Sequence, residues 1–501
     1  MSTTEHAVVI AGGGPTGLML AGELALAGID VAIVERRPDQ DLVGARGGGL
    51  HSRTIEIFDQ RGIVERFLDA GQIGQVAGFA MVRFDISDFP TRHPYGLGLW
   101  QNRIENILAG WVDELRVPIY RGCDVTGFTQ DETGVDVELS DGRTMRAAYL
   151  VGCDGGRSVV RKTAGIEFAG WDPTTSSLIA VVELAEEPEL GGHHDAIGIH
   201  GIGRLEYEIR DGEVVYLDKG PIRLLVTERE VGPSGDATLS ELSEALIAVY
   251  GTDFGVHSPT SISRFTDATR QAVSYREGRV LIAGDAAHVH PPMGGQGLNL
   301  GVQDAVNLGW KLAQVVKGTS GDALLDTYHA ERHPAGAEVL RNTMGQTALM
   351  RPDDRIKAAR DVFAEVLNME EPRKRIGAMM SGLGVDYEPD AEHPLVGRRM
   401  PDLDLTTESG PVRVFGMLHQ ARPVLLNLGE PGGFDVTPWA DRVRSLDAEY
   451  DGEWELPGIG TVTAPTAVLI RSDGHVVWVG EPTDPALPEA LTTWFGAPAT
   501  A

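Results

Sequence analysis

Hydrophobic residues near the N-terminus follow two different periods in succession. Residues 7–11 form a short apolar run rich in β-branched side chains, which is typical of a buried parallel strand. A glycine-rich turn follows, and apolar residues then recur at helical spacing over 15–24. A second apolar run at 30–34 predicts the next strand. This succession predicts a strand–turn–helix–strand unit.

The glycines of that turn indicate a nucleotide site. Gly12, Gly14 and Gly17 match G-x-G-x-x-G, in which the first glycine permits the tight turn, the second lets a pyrophosphate approach and the third lets the helix pack closely. The following helix would offer free N–H groups to phosphates. Glu35 stands 23 residues after Gly12, near the spacing of a carboxylate that bonds a ribose hydroxyl. We therefore predict a dinucleotide site.

The pattern changes in the middle of the chain. From about 172 to 275, short β-rich runs are separated by Gly- and Pro-rich turns, and one helix is predicted at 239–250. This predicts an antiparallel sheet inserted into the nucleotide fold, to which the loosely alternating residues 75–100 are also assigned. Residues 119–128 and 135–143 predict antiparallel strands joined by turns.

The α/β pattern returns at 278–288. A long amphipathic helix is predicted over 302–316, and a second over 323–350 that Pro334 should kink. From about 395 the chain predicts a small α/β unit with a hairpin over 472–474. The predicted domains are a discontinuous nucleotide-binding domain (1–74, 101–175 and 276–394), an inserted substrate-binding sheet domain (75–100 and 176–275) and a C-terminal domain (395–501).

Composition narrows the range of partners. The 501 residues include 43 Lys and Arg against 73 Asp and Glu, a formal net charge of −30 that disfavours nucleic acids and anionic membranes. The apolar N-terminal segment is broken by glycines and Glu23, so we expect neither a signal peptide nor a membrane span. Cys123 and Cys153 form no CxxC pair or disulfide framework, which favours a reducing, cytoplasmic location.

Three stretches together carry a family resemblance. They are Gly12 to Gly17 with Glu35, then Asp154-Gly155 with Arg161, then Gly284-Asp285 with Gly294 to Asn299. In this order and spacing the chain resembles class A FAD-dependent aromatic hydroxylases of the para-hydroxybenzoate hydroxylase type. Within them it looks most like the actinobacterial branch of polyketide hydroxylases and rifampicin monooxygenase. The resemblance implies an α/β fold with a Rossmann-like FAD-binding domain, an inserted antiparallel-sheet substrate domain and a thioredoxin-like C-terminal domain lacking CxxC.

The resemblance also implies a set of site residues. It places Pro292 in the loop at the edge of the flavin where oxygen reacts. His290 flanks the same motif and is a candidate for the active site, although a structural role fits it at least as well. The resemblance links Asp154 and Arg161 to NAD(P)H as well as to FAD. The residues it places at FAD are Gly12, Gly14, Pro15, Thr16, Gly17, Glu35, Arg36, Arg46, Gly49, Gln101, Val125, Asp154, Arg161, Asp285, Gly295, Gly297, Leu298 and Asn299.

The implied reaction is the hydroxylation of a polycyclic, polyketide-type phenol. NAD(P)H, bound transiently, reduces a non-covalent FAD, O2 adds at C4a, and the resulting hydroperoxide delivers an oxygen to the ring. Rifampicin-type antibiotic inactivation and flavin reduction stay open as alternatives. The halogenase signature G-W-x-W-x-I-P is missing, and we expect no metal because no carboxylate completes a site around His193, His194 and His200. The protein is expected to be a monomer or a homodimer.

Overall fold

A mixed eight-stranded sheet forms the centre of the molecule. The computed structural model describes residues 4–42, 47–204, 207–210, 213–216, 221–233, 235–351, 353–457 and 459–499. The strand Thr4–Ala11 pairs in parallel with Thr144–Gly152 on one side and with Val31–Glu35 on the other. Val280–Ile282 and Ile119–Arg121 extend this parallel part outwards. The carboxyl ends of these strands meet at one edge, where the glycine turn and Glu35 lie.

One predicted strand is wrong. Residues 119–128 do not form a single antiparallel strand, because Gly122 takes a left-handed conformation (φ +70°) and divides them. The first part, Ile119–Arg121, belongs to the parallel sheet. The second part, Val125–Gln130, pairs antiparallel with Val135–Leu139, which in turn pairs with Thr144–Gly152.

The inserted sheet is antiparallel, as the sequence predicts, but its five described strands all lie within residues 176–266. The strands of 75–100, which were assigned to it, pair instead with each other and with strands of residues 48–74. The strand order of the inserted sheet is Gly191–His194, Ile199–Arg204, Ile222–Thr227, Ser176–Leu184 and Val256–Thr266. The predicted helix Leu239–Tyr250 covers one face and buries Leu242 and Leu246 in the cluster that the sheet forms. Thr238 and Glu241 form a capping box at its start.

Two long helices carry the second half of the nucleotide domain. Gln296–Val316 begins six residues before its predicted start, because Gly294 and Gly295 (φ +67° and +64°) turn the chain directly into the helix. Asp326–Leu349 contains Pro334 and continues through it. The helices Asp354–Leu367 and Glu370–Ser381 follow and were not predicted.

The C-terminal unit packs against the nucleotide domain. Its four-stranded sheet has the order Arg444–Asp447, Val424–Asn427, Ala467–Ile470 and Val476–Gly480, and the predicted hairpin over 472–474 is confirmed. The helix Ala486–Phe495 ends the unit. One buried cluster joins Trp310 of the long helix to Trp478 and Phe495 of the C-terminal unit.

The other elements are short, apart from the helices Pro15–Leu26 and Gln101–Glu114. The remaining helices and 3₁₀ turns are Pro15–Leu26, Ser52–Gln60, Val64–Leu68, Gln101–Glu114, Val159–Thr163, Gly284–Ala286, Met293–Gly295, Asp322–Leu325, Val414–Met417 and Thr437–Trp439. The remaining strands are Gly48–Leu50, Gln72–Gly74, Val76–Phe79, Val82–Asp85, Gly96–Trp100, Phe168–Trp171, Tyr207–Arg210, Glu213–Tyr216, Thr269–Ala272, Arg276–Glu277, His288–Val289, Asp404–Thr407, Gly410–Arg413, Trp454–Leu456 and Gly460–Val462. In the described ranges no helix has the length and hydropathy needed to cross a membrane.

Candidate active site

The glycines of the first turn serve two different purposes. Gly12 has φ +105°, and a Cβ placed on it would lie 2.4 Å from the carbonyl oxygen of Cys153. A Cβ on Gly17 would lie 2.0 Å from the oxygen of Gly12, so the fold itself requires both glycines. A Cβ on Gly14 would meet nothing within 4 Å. Gly14 caps the helix Pro15–Leu26, whose first N–H groups receive no bond from its side chain. It therefore faces open space at a helix N-terminus, which suits a phosphate.

Glu35 is oriented by the turn that it faces. One of its oxygens, Oε2, accepts a hydrogen bond from Gly13 N at 2.6 Å, and Oε1 accepts from Arg37 N at 2.9 Å and from Arg37 Nε at 3.0 Å. Burial acts to raise the pKa of Glu35, but the hydrogen bonds from Arg37 and Gly13 outweigh it and hold the pKa below its usual value. The carboxylate is therefore charged and has lone pairs left for a ribose hydroxyl.

A buried carboxylate that the sequence analysis missed supports this turn. Arg36, the predicted contact, is exposed, whereas its neighbour Arg37 donates to Glu105 Oε2 at 2.8 Å and to Gly13 O at 3.2 Å. Gln101 donates to Glu105 Oε1 at 2.8 Å. The i,i+4 spacing of Gln101 and Glu105 on one helix was a visible signal for this pair. The network joins the predicted residue Gln101 to the glycine turn.

Asp285 is an unpartnered carboxylate at the start of the second motif. It follows the buried strand Val280–Ile282, is exposed, and forms no hydrogen bond or ion pair with the described part of the chain. A Cβ on Gly297 would lie 3.7 Å from Asp285 Oδ1 and 3.6 Å from His290 Nε2. The structure therefore brings Asp285, His290 and Gly297 together, and the carboxylate is available to accept hydrogen bonds from hydroxyl groups.

The helix Gln296–Val316 presents a bare N-terminus at this place. Gly295 is its left-handed N-cap and provides no side chain to bond the first N–H groups. Pro292 is exposed in the loop just before it, and Leu298 packs against the core of the main sheet. The positive end of the helix dipole and the free N–H groups favour negative charge in front of Gly295.

Asn299 joins two loops of the site. Its Oδ1 accepts from His51 N at 2.8 Å, and its Nδ2 donates to Gly49 O at 3.3 Å and to Gly295 O at 2.8 Å. Gly49 has φ +112°, which a glycine tolerates. The side chain of Asn299 thus fixes the loop around Gly49 to the helix start, and direct contacts of Asn299 and Gly49 with FAD stay predictions.

Arg161 and Asp154 hold the Asp-Gly turn against the second motif. Arg161 donates to Ala286 O at 2.8 Å and to Gly156 O at 3.1 Å, and its guanidinium lies 3.7 Å from the ring centre of Phe168. Asp154 Oδ2 accepts from the first N–H of the helix Val159–Thr163 at 2.7 Å. The predicted pair therefore has a positioning role that connects two motifs.

The remaining predicted residues lie nearby or outside the described ranges. Val125 is buried at the start of the strand Val125–Gln130. A Cβ placed on Gly284 would lie 2.6 Å from Thr16 Oγ1, so the hydroxyl group of Thr16 packs against this glycine. Arg46 falls outside the residues that the structure describes.

A buried ion cluster underlies the second motif. Asp304 accepts hydrogen bonds from His288 Nε2 at 2.7 Å, Arg332 Nε at 2.8 Å and Gly284 N at 3.1 Å. Burial acts to raise the pKa of Asp304, but Arg332 and His288 outweigh it and hold the pKa below the usual value. The Gly284 turn is therefore fastened to a charged residue inside the long helix, a role that sequence analysis did not assign.

His51 is a further residue of the site that the sequence analysis did not assign. Its ring interacts with the backbone of Gly294 and Met380, and burial lowers its pKa to about 4. At neutral pH the ring is therefore uncharged beside the loop that precedes the long helix.

Replacing His51 by Gln should weaken the pH dependence of stability. Because the pKa of His51 falls from 6.5 to about 4 on folding, the unfolded chain binds more protons between these values. The wild type therefore loses stability as pH falls from about 6.5 to about 4, and His51→Gln should lose less. Urea unfolding across this pH range measures the difference. His257→Gln, at an exposed position with a side chain 49% accessible, should keep the wild-type slope. Equal slopes for wild type and His51→Gln would contradict the assignment.

Two family profiles and several known proteins match this chain over most of its length. The profile of the FAD binding domain family matches residues 5–343, and that of the aromatic-ring hydroxylase C-terminal domain matches 393–498. The 12-dehydrotetracycline 5-monooxygenase/anhydrotetracycline 6-monooxygenase of Streptomyces rimosus is 43% identical, with 99% of this chain and 100% of the relative covered. Rifampicin monooxygenase of Streptomyces venezuelae is 42% identical, with 98% of each chain covered. The structure of OxyS anhydrotetracycline hydroxylase from Streptomyces rimosus matches with a TM-score of 0.88 and 41% identity, over 99% of this chain and 100% of that one.

Proposed function

Because the chain belongs to the family of FAD-dependent aromatic-ring hydroxylases, we propose that it hydroxylates a polycyclic aromatic phenol of the polyketide type. The protein is an FAD-dependent monooxygenase that uses NAD(P)H and O2. The observation that carries the proposal is the exposed, unpartnered Asp285 beside the bare start of the helix Gln296–Val316. The relatives named for tetracycline intermediates support a substrate with several fused rings.

The residues at this edge of the sheet fit FAD. Open space at Gly14 and the free N–H groups behind it suit the pyrophosphate. Glu35 is charged and oriented to accept a ribose hydroxyl. Asp285 can accept hydroxyl groups of the ribityl chain, and the helix start at Gly295 suits the electron-rich end of the isoalloxazine.

When bound, FAD supplies hydride acceptance from NAD(P)H and activation of O2 for transfer to an aromatic ring. The chain contributes orientation and electrostatics. The unpaired N–H groups at the start of the helix Gln296–Val316 would stabilise negative charge on the ring system of a bound FAD, and no reorganisation would be needed because the helix holds them in place. Pro292 has no N–H group, so it provides no backbone hydrogen-bond donor in the loop before the helix.

His290 has the protonation state of a proton acceptor. Burial lowers its pKa below the usual value, so the ring is neutral at neutral pH. Its Nδ1 lies 2.7 Å from Pro291 O and must donate to that carbonyl, which leaves the lone pair on Nε2. We assign to this free Nε2 the phenolic proton of the substrate, because His290 lies two residues before Pro292, in the loop that the family resemblance places at the edge of the flavin where oxygen reacts.

Replacing His290 by Gln should slow hydroxylation and leave FAD affinity close to wild type. Loss of a general base typically costs about 100-fold or more, and turnover should lose its fall at acidic pH, where wild-type His290 becomes protonated. Single-turnover product formation over a pH series measures this effect. His257→Gln, at an exposed position, serves as the matched control. A variant with the wild-type pH profile would assign His290 a structural role.

The proposed function is tested by turnover against a panel of polycyclic phenols. We expect one class to accelerate NAD(P)H oxidation and to yield a product with one added oxygen atom. Rifampicin belongs in the same panel, because a relative of 42% identity is a rifampicin monooxygenase. If no aromatic compound changes the rate and free flavin is reduced instead, flavin reduction replaces the proposal.

The domains, the net charge and the cysteines support further proposals about ligand placement, partners and location. We assign FAD to the discontinuous domain 1–74, 101–175 and 276–394, the substrate to the space beneath 75–100 and 176–275, and a supporting role to 395–501. The formal charge of −30 argues against a nucleic-acid partner. Cys123 and Cys153 are free thiols, which fits the proposed cytoplasmic location. That the protein is a monomer or a homodimer stays a prediction.

A further inference from the structure

Met380 lies directly beneath the loop that leads to the long helix. It stands near the end of the helix Glu370–Ser381 and is 5% exposed. A Cβ on Gly294 would lie 2.6 Å from Met380 Cε, so the thioether methyl group touches the loop backbone. The carbonyl oxygen of Met380 accepts from Gln296 Nε2 at 3.0 Å, and His51 interacts with the same backbone.

Three side-chain amides point their donors at the sulfur of Met380. Asn342 Nδ2 lies 3.0 Å, Gln346 Nε2 3.6 Å and Gln296 Nε2 3.7 Å from Sδ. All three amide residues are buried. A thioether is a weak acceptor, so three donors exceed what the sulfur can satisfy.

A chain of hydrogen bonds fixes the direction of two of these amides. Gln346 Oε1 accepts from Ala80 N at 3.1 Å, which turns its Nε2 toward the sulfur of Met380. That Nε2 also donates to Asn342 Oδ1 at 3.2 Å, which turns Asn342 Nδ2 toward the sulfur. The donor-rich surroundings of Met380 are therefore set by the backbone at Ala80.

We propose that Met380 is an oxidation site, at which hydrogen peroxide released by uncoupled turnover converts the thioether to the sulfoxide. The O–O bond breaks, one oxygen forms the S–O bond and the other leaves as water. Sulfur loses two electrons and peroxide gains them. The proposal rests on the proposed placement of FAD beside Gly294, since oxygen chemistry then occurs one loop away from Met380.

The amides explain why this methionine is selected. A sulfoxide oxygen is a much stronger acceptor than a thioether, and the N–H groups of Asn342 and Gln346 are already in place to bond it. The added oxygen also changes the contact with Gly294. Continued uncoupled turnover should therefore disturb the flavin loop and stop the enzyme that produces the peroxide.

The test compares three methionines in the holoenzyme. The protein turns over NAD(P)H without an aromatic substrate, with catalase removing peroxide from bulk solvent, and sulfoxide is quantified by peptide mass spectrometry. Met379 lines an open cavity of about 810 Å³ and Met369 is 58% exposed. We expect several-fold more sulfoxide at Met380 than at either one. Sulfoxide that follows exposure, highest at Met369 and lowest at Met380, would overturn the proposal.

A second arm separates this proposal from the proposed function. Hydrogen peroxide added to the holoenzyme without NAD(P)H should also oxidise Met380 ahead of Met369, whatever reaction the enzyme catalyses. Asn342→Leu should lower the Met380 sulfoxide in both arms. Flavin absorbance, and peroxide release measured in a parallel assay without catalase, confirm that the holoenzyme is intact. Equal amounts of Met380 sulfoxide in this variant and in the wild type would show that the amides do not direct the oxidation. Met380 could be preferred only when peroxide is added, although turnover is measured to release peroxide. This result would refute uncoupled turnover as the source of the oxidant.

Discussion

Gly14→Val is expected to leave the unliganded chain as stable as the wild type and to abolish most of its affinity for FAD. The backbone of Gly14 has φ −79° and ψ −176°, which valine adopts without strain, and its Cβ would meet no protein atom within 4 Å. The side chain would instead occupy the space in front of the helix Pro15–Leu26. Two lost hydrogen bonds to a charged phosphate correspond to about 100-fold or more in affinity. Flavin fluorescence titration and thermal unfolding of the apoprotein measure the two quantities.

Two other glycines give this experiment its controls. Gly74 also has open space around its Cβ position but lies in the strand Gln72–Gly74, away from the turn, so Gly74→Val should bind FAD as the wild type does. Gly12→Val should destabilise the apoprotein itself, because φ is +105° and the Cβ would clash with Cys153 O. FAD affinity at the wild-type level in Gly14→Val would refute the placement of the pyrophosphate at Gly14.

Features specified within a short stretch of sequence were predictable. The glycine spacing, the hairpin over 472–474 and the helix Leu239–Tyr250 each depend on neighbouring residues, and the structure contains all three. The start of the long helix was placed too late. The apolar pattern there begins only after its first turn, whereas Gly294 and Gly295 take left-handed conformations directly before Gln296.

Contacts between distant parts of the chain were not predictable from pattern. Asn299 bonds His51, 248 residues away, and no local signal pairs the two. The same holds for Arg37 and Glu105. Arg37 supports the glycine turn from the loop after Val31–Glu35, and Glu105 supports it from the helix Gln101–Glu114. Gly122 shows a third limit: a single left-handed residue moved Ile119–Arg121 from an antiparallel pair into the parallel sheet.

The C-terminal unit is tied to the nucleotide domain by charges as well as by apolar packing. Arg471, beside the hairpin tip, lies 2.6 Å from Glu331 Oε1 and 2.5 Å from Asp473 Oδ2. Trp310 of the long helix donates to Asp473 Oδ2 at 3.2 Å. All these groups are buried. The hairpin therefore braces the same helix whose N-terminus we assign to the flavin.

Arg471→Met is expected to lower the free energy of unfolding by about 3–5 kcal/mol, because it leaves buried carboxylates without their main partner. Glu331 provides a second signature. Burial acts to raise its pKa, but Arg471 and Lys311 outweigh this and lower it to about 2 from 4.5, so its stabilisation is present above about pH 4.5 and is lost toward about pH 2. Without Arg471 the pKa of Glu331 in the folded protein rises. The stabilisation that Glu331 still provides should therefore be smaller, and it should be lost at a higher pH than in the wild type.

Urea unfolding over an acidic pH series tests both effects of Arg471→Met. Arg444→Met provides the matched control, because Arg444 is exposed in the same unit and its change should stay within about 0.5 kcal/mol. A loss in Arg471→Met as small as in the control would mean that the apolar cluster around Trp310 alone fastens the unit. A large loss together with weaker FAD binding would show that the bracing reaches the helix start at Gly295, because Arg471 is not among the residues assigned to FAD.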